Sequence, residues 1–338
     1  MIAHSISLAL LLGAVPGFSS NQSSLNPAGP MASHIEHTFT LIFAITGIVY
    51  VLVIVAMMVS VWRNRVVDAG FPAPQPTSAE SDRKATHAVA ALMGLTVALL
   101  FVMLVASFLT SRAIGEMNGR APFEVDVYGH QWWWEVQYPS PEADKTVVTA
   151  NEIHVPVGTP VRIHGTSRDV IHSFWAPNIH GKRDLMPGYD TDMVVQVDQP
   201  GRWRGQCAEF CGPQHAHMAF LIVAEPMEQY HAWLDAQAGA PPAPITAQAL
   251  QGKAVFLSHA CVMCHTVRGT TAGSRVGPDL THVASRDTIA AGTLPNNSAS
   301  MAAWVSNAQS IKPGVRMPPN PMSSEELGNL VAYLETLR

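Results

Sequence analysis

Two stretches, Phe39 to Trp62 and Ala88 to Leu109, contain no Asp, Glu, Lys or Arg. Each is long enough to carry a helix across a ~30 Å hydrocarbon core, which needs about 20 residues. The pattern predicts a transmembrane helical hairpin over residues 31–112. The connecting loop carries Arg63, Arg65, Arg83 and Lys84 against Asp68, Glu80 and Asp82. Basic residues alone bias orientation, so the loop is placed in the cytoplasm and the chain beyond Leu109 on the opposite face. An earlier apolar stretch, Ile6 to Phe18, has signal-peptide length but no preceding Lys or Arg. Residues 1–20 are read as a cleaved signal peptide rather than a third membrane segment, and no cysteine follows that would make a lipoprotein.

Beyond the second run the period changes to two. Phe123-Glu-Val-Asp-Val-Tyr alternates apolar and polar residues, as do Val161-Arg-Ile-His and, less strictly, Met193-Val-Val-Gln-Val-Asp. Such alternation marks half-buried strands. Pro139, Pro156, Gly158, Pro160, Pro187, Pro200 and Gly201 punctuate them, and the whole predicts an all-β sandwich or barrel over residues 121–226 with metal ligands on its loops. Met227 to Ala238 predicts a short helix. Ala238-Gly-Ala-Pro-Pro-Ala-Pro then reads as a stiff linker over residues 238–246. Residues 247–338 return to helical spacing, with Ala249 to Leu257 leading into a cysteine motif and Leu327, Leu330, Val331 and Leu334 on one face of a last helix.

At 338 residues the chain has room for two or three units. A net charge of −5 with 13% charged residues argues against nucleic acid as a partner. The four cysteines change the picture most, because none is left over for disulfides or packing. Cys261-Val-Met-Cys264-His265 is the attachment pattern for one covalent c-type haem, with His265 on the iron. Cys207, Cys211, His215 and Met218 fall within twelve residues and form a soft ligand set suited to copper. A structural zinc is the plainer alternative, but the methionine favours copper. Asp169-Val-Ile-His172 offers a second imidazole. Trp133 and Trp134 are read as core and membrane-interface packing, and His130, His154, His164, His180 and His217 as structural or exposed histidines.

Gly129-His-Gln-Trp-Trp-Trp, Asp169-Val-Ile-His-Ser, Met186-Pro-Gly and Gly205-Gln-Cys-Ala-Glu-Phe-Cys-Gly-Pro-Gln-His-Ala-His-Met stand in this order. Over most of Met31 to Pro226 the chain resembles subunit II of the haem-copper cytochrome c oxidases. That resemblance implies a cupredoxin-like domain and a binuclear copper centre A: Cys207 and Cys211 bridging, one copper each on His172 and His215, Met218 a weak ligand and Glu209 binding through its carbonyl. It further implies a magnesium ion, shared with subunit I, on the Glu209 side chain, and electron input through Trp132. Residues Gly252 to Arg338 resemble class I cytochrome c. This implies thioethers at Cys261 and Cys264, His265 as proximal ligand and Met317 as distal ligand, with Met301 and Met322 as other candidates.

Together the resemblances imply a multi-pass protein of the bacterial cytoplasmic membrane, with haem and copper on the periplasmic side. They imply subunits I and III as partners, and a donor that is a cytochrome or a quinol:cytochrome c reductase. The family usually carries a glutamate and a Trp-Thr pair at the start of the second membrane helix. Thr86-His-Ala-Val-Ala-Ala-Leu-Met lacks them, which leaves open whether Glu80, Asp82 or His87 serves proton uptake. Two other readings share many of these residues: the copper subunit of a nitric oxide reductase, and a membrane-bound copper-delivery protein.

Overall fold

The computed structural model describes residues 21–63, 78–117, 119, 121–142 and 145–338. The signal-peptide reading of residues 1–20 and the loop positions Arg65 and Asp68 lie outside them. The described chain divides into two compact units, one of residues 33–117 and one built around residues 118–338.

In the first unit, α1 (Pro30–Arg63) and α2 (Ala79–Met117) are each long and apolar enough to cross a membrane. No residue of α2 is buried in the protein, and in α1 only Met31 and Ala32 are. Helices apolar on every side need an apolar solvent. The hydroxyls of Thr38, Thr46 and Thr96 donate to carbonyls one turn back, so these polar groups are satisfied within their own helix. The second helix begins nine residues before its apolar run. Glu80 and Asp82 sit in its first turn, where the helix dipole favours acids, and Lys84 pairs with Glu80 at 2.7 Å.

The second unit opens with a sandwich: β1 (Phe123–His130), β2 (Trp133–Tyr138), β3 (Val147–Ala150), β4 (Glu152–Pro156), β5 (Val161–Ser167), β6 (His172–Trp175), β7 (Arg183–Leu185), β8 (Thr191–Val195), β9 (Gly201–Cys207) and β10 (Ala219–Glu225). One sheet runs β3-β2-β1-β5-β8 and the other β4-β10-β9-β6-β7. Alternation places Val125, Val127, Val161 and Ile163 inside, facing Ile222 and Phe220. Trp134 fills the centre, edge-on to Phe174 and Phe220. The segment before α1 also joins this body, since Asp198 N–H donates to Ala28 O and Ala28 N–H to Asn178 O. Sequence periodicity gives no sign of that attachment. Then α3 (Met227–Ala238) closes one end, with the Trp233 ring stacked on His154 at 3.9 Å.

The remainder is α4 (Ala247–Ser258), the ladder β11 (Thr288–Ile289) and β12 (Leu294–Pro295), α5 (Ser298–Ser306), α6 (Ala308–Ile311) and α7 (Ser324–Leu334). Thr246, Asn297, Asn307 and Ser323 cap their helices, Ser323 in a full capping box with Glu326. Phe256 of α4 packs with Leu330, Tyr333 and Leu334 of α7. The body is helical as expected, apart from a ladder of two residues per strand.

This helical body packs firmly on the sandwich. Ala219 N–H donates to Ala291 O at 3.0 Å, and Gln214 Nε2 to Pro313 O at 2.8 Å. The Glu152 carboxylate accepts from Asp287 N–H at 2.6 Å and Thr288 N–H at 3.3 Å. Even the Pro-rich stretch is engaged, for Arg268 donates to Ala238 O and His282 Nε2 lies 3.1 Å from Gly239 O.

Candidate metal centres

His172 opens β6 and Cys207 closes β9, and these strands pair with Phe174 opposite Cys207. Two of the expected ligands are therefore fixed by sheet register, a correction to the expectation that all sit on loops. Strand ends hold a ligand more firmly than a loop tip does. Cys211 lies four residues on, and Gly212, at φ 116°, reverses the chain towards a 3-10 turn at His215–His217. A side chain on Gly212 would come within 3.0 Å of the Trp132 ring.

The turn gathers the whole predicted set. Cys207 Sγ lies 3.7 Å from Cys211 Sγ, too far for a disulfide, and 3.8 Å from His172 Nδ1. Cys211 Sγ lies 3.6 Å from His215 Nδ1 and 3.9 Å from Met218 Sδ, and Glu209 O is 3.2 Å from Cys207 Sγ. His172, Cys207 and Cys211 have ligand atoms all within 4.8 Å of one another. This set exceeds the four ligands of a structural zinc and is soft enough for copper.

Asp169, quoted above only as part of a motif, orients the cluster. Its Oδ1 lies 2.8 Å from His172 Nε2, which leaves Nδ1 turned towards Cys207. Burial would lower the His172 pKa, but its bonds to Asp169 and Cys207 outweigh this and raise it. Burial likewise opposes the Asp169 charge, yet His172 and the N–H groups of Gln131 and Val170 hold its carboxyl below the usual range. Between the thiols, a bond from Cys211 pulls Cys207 down while the resulting thiolate pushes Cys211 up. A cation between them removes that conflict, because it favours both thiolates.

The second centre is a cavity of about 470 Å³ in which Cys261, Cys264, His265, Met301 and Met317 all take part. That volume suits a cofactor. His265 Nδ1 lies 2.7 Å from Pro278 O, which makes Nδ1–H the donor and frees Nε2 for a metal. Burial holds the His265 pKa down and keeps the imidazole neutral, the form that ligates. Gly277 permits the fit, since a Cβ there would stand 2.8 Å from the imidazole ring. Gln309 Nε2 donates to Val315 O and Met317 O, fixing the methionine loop. Met322 packs in the helical core and does not line the cavity, so the structure leaves Met317 and Met301. Arg286 also lines it, buried, and its Nε has no hydrogen-bond partner among the described residues. A haem, mostly apolar but carrying carboxylates, fits such a wall.

Trp132 belongs to both centres. It is 7% exposed, its Nε1–H donates to Cys211 O at 3.0 Å, and its side lines the cavity. Trp134 is core as expected, whereas Trp133 stacks on His130 at 4.3 Å and lines the cavity. His154 and His130 pair with Glu225 and Glu135 at 3.0 Å, in keeping with structural roles. Sequence reasoning missed Lys312, Arg286 and Glu152, whose importance comes from packing between distant segments; no local spacing announces them.

Residues 141–225 match the family described as cytochrome c oxidase subunit II, periplasmic domain, and residues 249–338 match cytochrome c. A cytochrome c oxidase subunit 2 of Alkalihalophilus pseudofirmus is 32% identical over 320 residues, covering 94% of this chain and 91% of that protein. One from Bacillus subtilis is 27% identical over 353 residues, covering 98% and 97%. The solved periplasmic domain of oxidase subunit II from Bradyrhizobium japonicum is 27% identical, covers 36% of this chain and 96% of its own, and aligns with a TM-score of 0.34. With a relative of this identity matched along nearly its full length, and with both metal-ligand sets gathered as described, the chain belongs to the cytochrome c oxidase subunit 2 family.

Proposed function

We propose that this chain takes electrons from a donor onto a covalent c-type haem and passes them through Trp132 to a binuclear copper centre. From there they go to subunit I, where oxygen is reduced to water with proton translocation. The observation that carries this reading is the position of Trp132, against the haem cavity on one side and bonded to the Cys211 carbonyl on the other.

In this reading Cys261 and Cys264 anchor the haem, and His265 and Met317 take the iron. Cys207 and Cys211 would bridge two coppers, His172 and His215 would each bind one, and Met218 and the Glu209 carbonyl would complete the set. When bound, these groups supply one-electron chemistry, with His/Met ligation raising the haem potential and shared thiolates spreading one charge over two metals. The protein's part is to hold them still and dry: His172 and Met218 are fully buried, and both cysteines nearly so. Rigid, water-poor walls keep reorganisation small when charge moves. Burial also weighs against copper delivery, because a cargo site must open to its recipient. The half-buried Glu209 carboxylate is the proposed ligand for a magnesium shared with subunit I, a hard oxygen donor for a hard cation.

The proposed organisation is a membrane hairpin over residues 31–112, a cupredoxin-like domain over 121–226, a linker over 238–246 and a cytochrome c domain over 247–338. The hairpin would hold the chain in the cytoplasmic membrane beside subunits I and III, with both metal-bearing domains in the periplasm. A cytochrome or quinol:cytochrome c reductase would donate. The test is to purify the complex and compare its consumption of oxygen and of nitric oxide with a reduced cytochrome as donor. Oxygen consumption supports the reading, and turnover confined to nitric oxide would move the chain to the reductase class.

A further inference from the structure

Lys312 is the C-cap of α6, five residues before Met317, and is 2% exposed. Its ammonium has three protons and meets three main-chain carbonyls: Trp132 O at 3.0 Å, His217 O at 2.8 Å and Ala290 O at 3.1 Å. It makes no ion pair with a carboxylate among the described residues. Burying a cation without a counter-ion is costly: burial lowers the Lys312 pKa to about 7, and the three carbonyls offset part of that cost by accepting from every donor of the ammonium.

The carbonyls come from both bodies. Trp132 and His217 belong to the sandwich, whereas Ala290 shares the helical body with Lys312 itself. Next to these contacts, Ala219 N–H donates to Ala291 O and Gln214 Nε2 to Pro313 O. Met218, the copper-ligand candidate, thus stands between two residues whose main chains are tied to the helical body. The lysine also lines the haem cavity.

We propose that Lys312 is a positioning residue for electron transfer within the chain, its ammonium clamping the Trp132 carbonyl and the main chain beside Met218 to the body that carries Met317. The inference rests on the function proposed above. In the step concerned, one electron leaves reduced haem iron and arrives at the oxidised copper pair, and no bond is made or broken. The lysine is a ligand of neither group. It fixes the separation and orientation across which the electron passes, so its loss changes the rate and leaves both centres intact.

The test uses the purified, metal-loaded oxidase. Lys312→Met keeps the length of the side chain and removes the donors, and Lys312→Gln retains a shorter polar group. In both, the thioether-to-iron band and the copper near-infrared band should match wild type. The rate of copper reduction after rapid haem reduction should fall at least tenfold, and amide exchange at Ala219 should accelerate. Normal spectra with an unchanged rate would overturn the positioning role. A lost thioether-to-iron band or a lost copper band would also overturn it, in favour of simple structural support. Where neither variant assembles, amine-reactive labelling of the wild-type complex decides: Lys312 should stay protected while exposed Lys182 is modified, and labelling at equal rates overturns the clamp. Trp132→Ala separates the two proposals. If it slows copper reduction while Lys312→Met does not, only the clamp fails; if it has no effect, the route itself fails.

Discussion

The indole N–H of Trp132 donates to the main-chain carbonyl of Cys211 at 3.0 Å. A hydrogen bond to the backbone of a proposed metal ligand joins an aromatic ring to that residue through few bonds, and the same ring lines the cavity proposed for the haem. Gln131 Nε2 donates to the same carbonyl at 2.8 Å, so two adjacent side chains hold the cysteine's main chain in place. With the helical body packed over it, Trp132 has almost no exposed surface for an outside donor. In the proposed function the fused body is the source of electrons.

Cys207→Ser and Cys211→Ser should each abolish a delocalised copper signal while leaving covalent haem in full amount. An alcohol is a poor bridge between soft metals, and the two sulfurs stand 3.7 Å apart at the centre of the cluster. Near-infrared absorption with electron paramagnetic resonance checks this. A mixed-valence signal surviving in either variant would show the bridge to be wrongly assigned.

Met317→Ala should leave haem attached through Cys261 and Cys264 but remove the sulfur-to-iron band and lower the midpoint potential. Met301 shares the cavity and is the remaining methionine candidate. Spectra of Met317→Ala and Met301→Ala side by side assign the ligand. The band should vanish in the first and persist in the second.

Glu152 gives the junction a pH dependence. Burial raises its pKa from 4.5 to about 7, against the opposing influence of Arg286. Between those values the folded state binds more protons than the unfolded state, so this group's contribution is fully present below about pH 4.5 and lost as pH rises through 7. The loss is on the order of 3 kcal/mol. Glu152→Gln retains an acceptor for the Asp287 and Thr288 amides without a charge to desolvate. Its melting temperature should exceed wild type at pH 8 and converge with it near pH 5, as measured by thermal unfolding at both values. Parallel curves for the two proteins would contradict the assignment.

Much of this was legible in the sequence because the signals are local. Period-two runs marked β1, β5 and β8, uncharged runs marked α1 and α2, and Cys-x-x-Cys-His marked the haem cavity. The copper cluster was legible in part: Cys207 to Met218 lie together in sequence, but His172 arrives through the pairing of β6 with β9, and strand register cannot be counted from ligand spacing. Asp169 lay in a visible motif without its role being visible, because what matters is the choice of imidazole nitrogen. Least legible was the junction. Lys312, Glu152 and Arg286 look like ordinary charged residues until a second body buries them, and a Pro-rich stretch read as a stiff linker gave no sign that the carbonyls of Ala238 and Gly239 are engaged.

The central claim is that electrons reach the copper centre from the haem by way of Trp132. Stopped-flow reduction of the complete Trp132→Ala oxidase tests it most directly, with haem and copper followed at separate wavelengths. The account predicts haem reduced at the wild-type rate and copper reduced late, slower by at least tenfold. Copper reduced at the wild-type rate in that variant would contradict it.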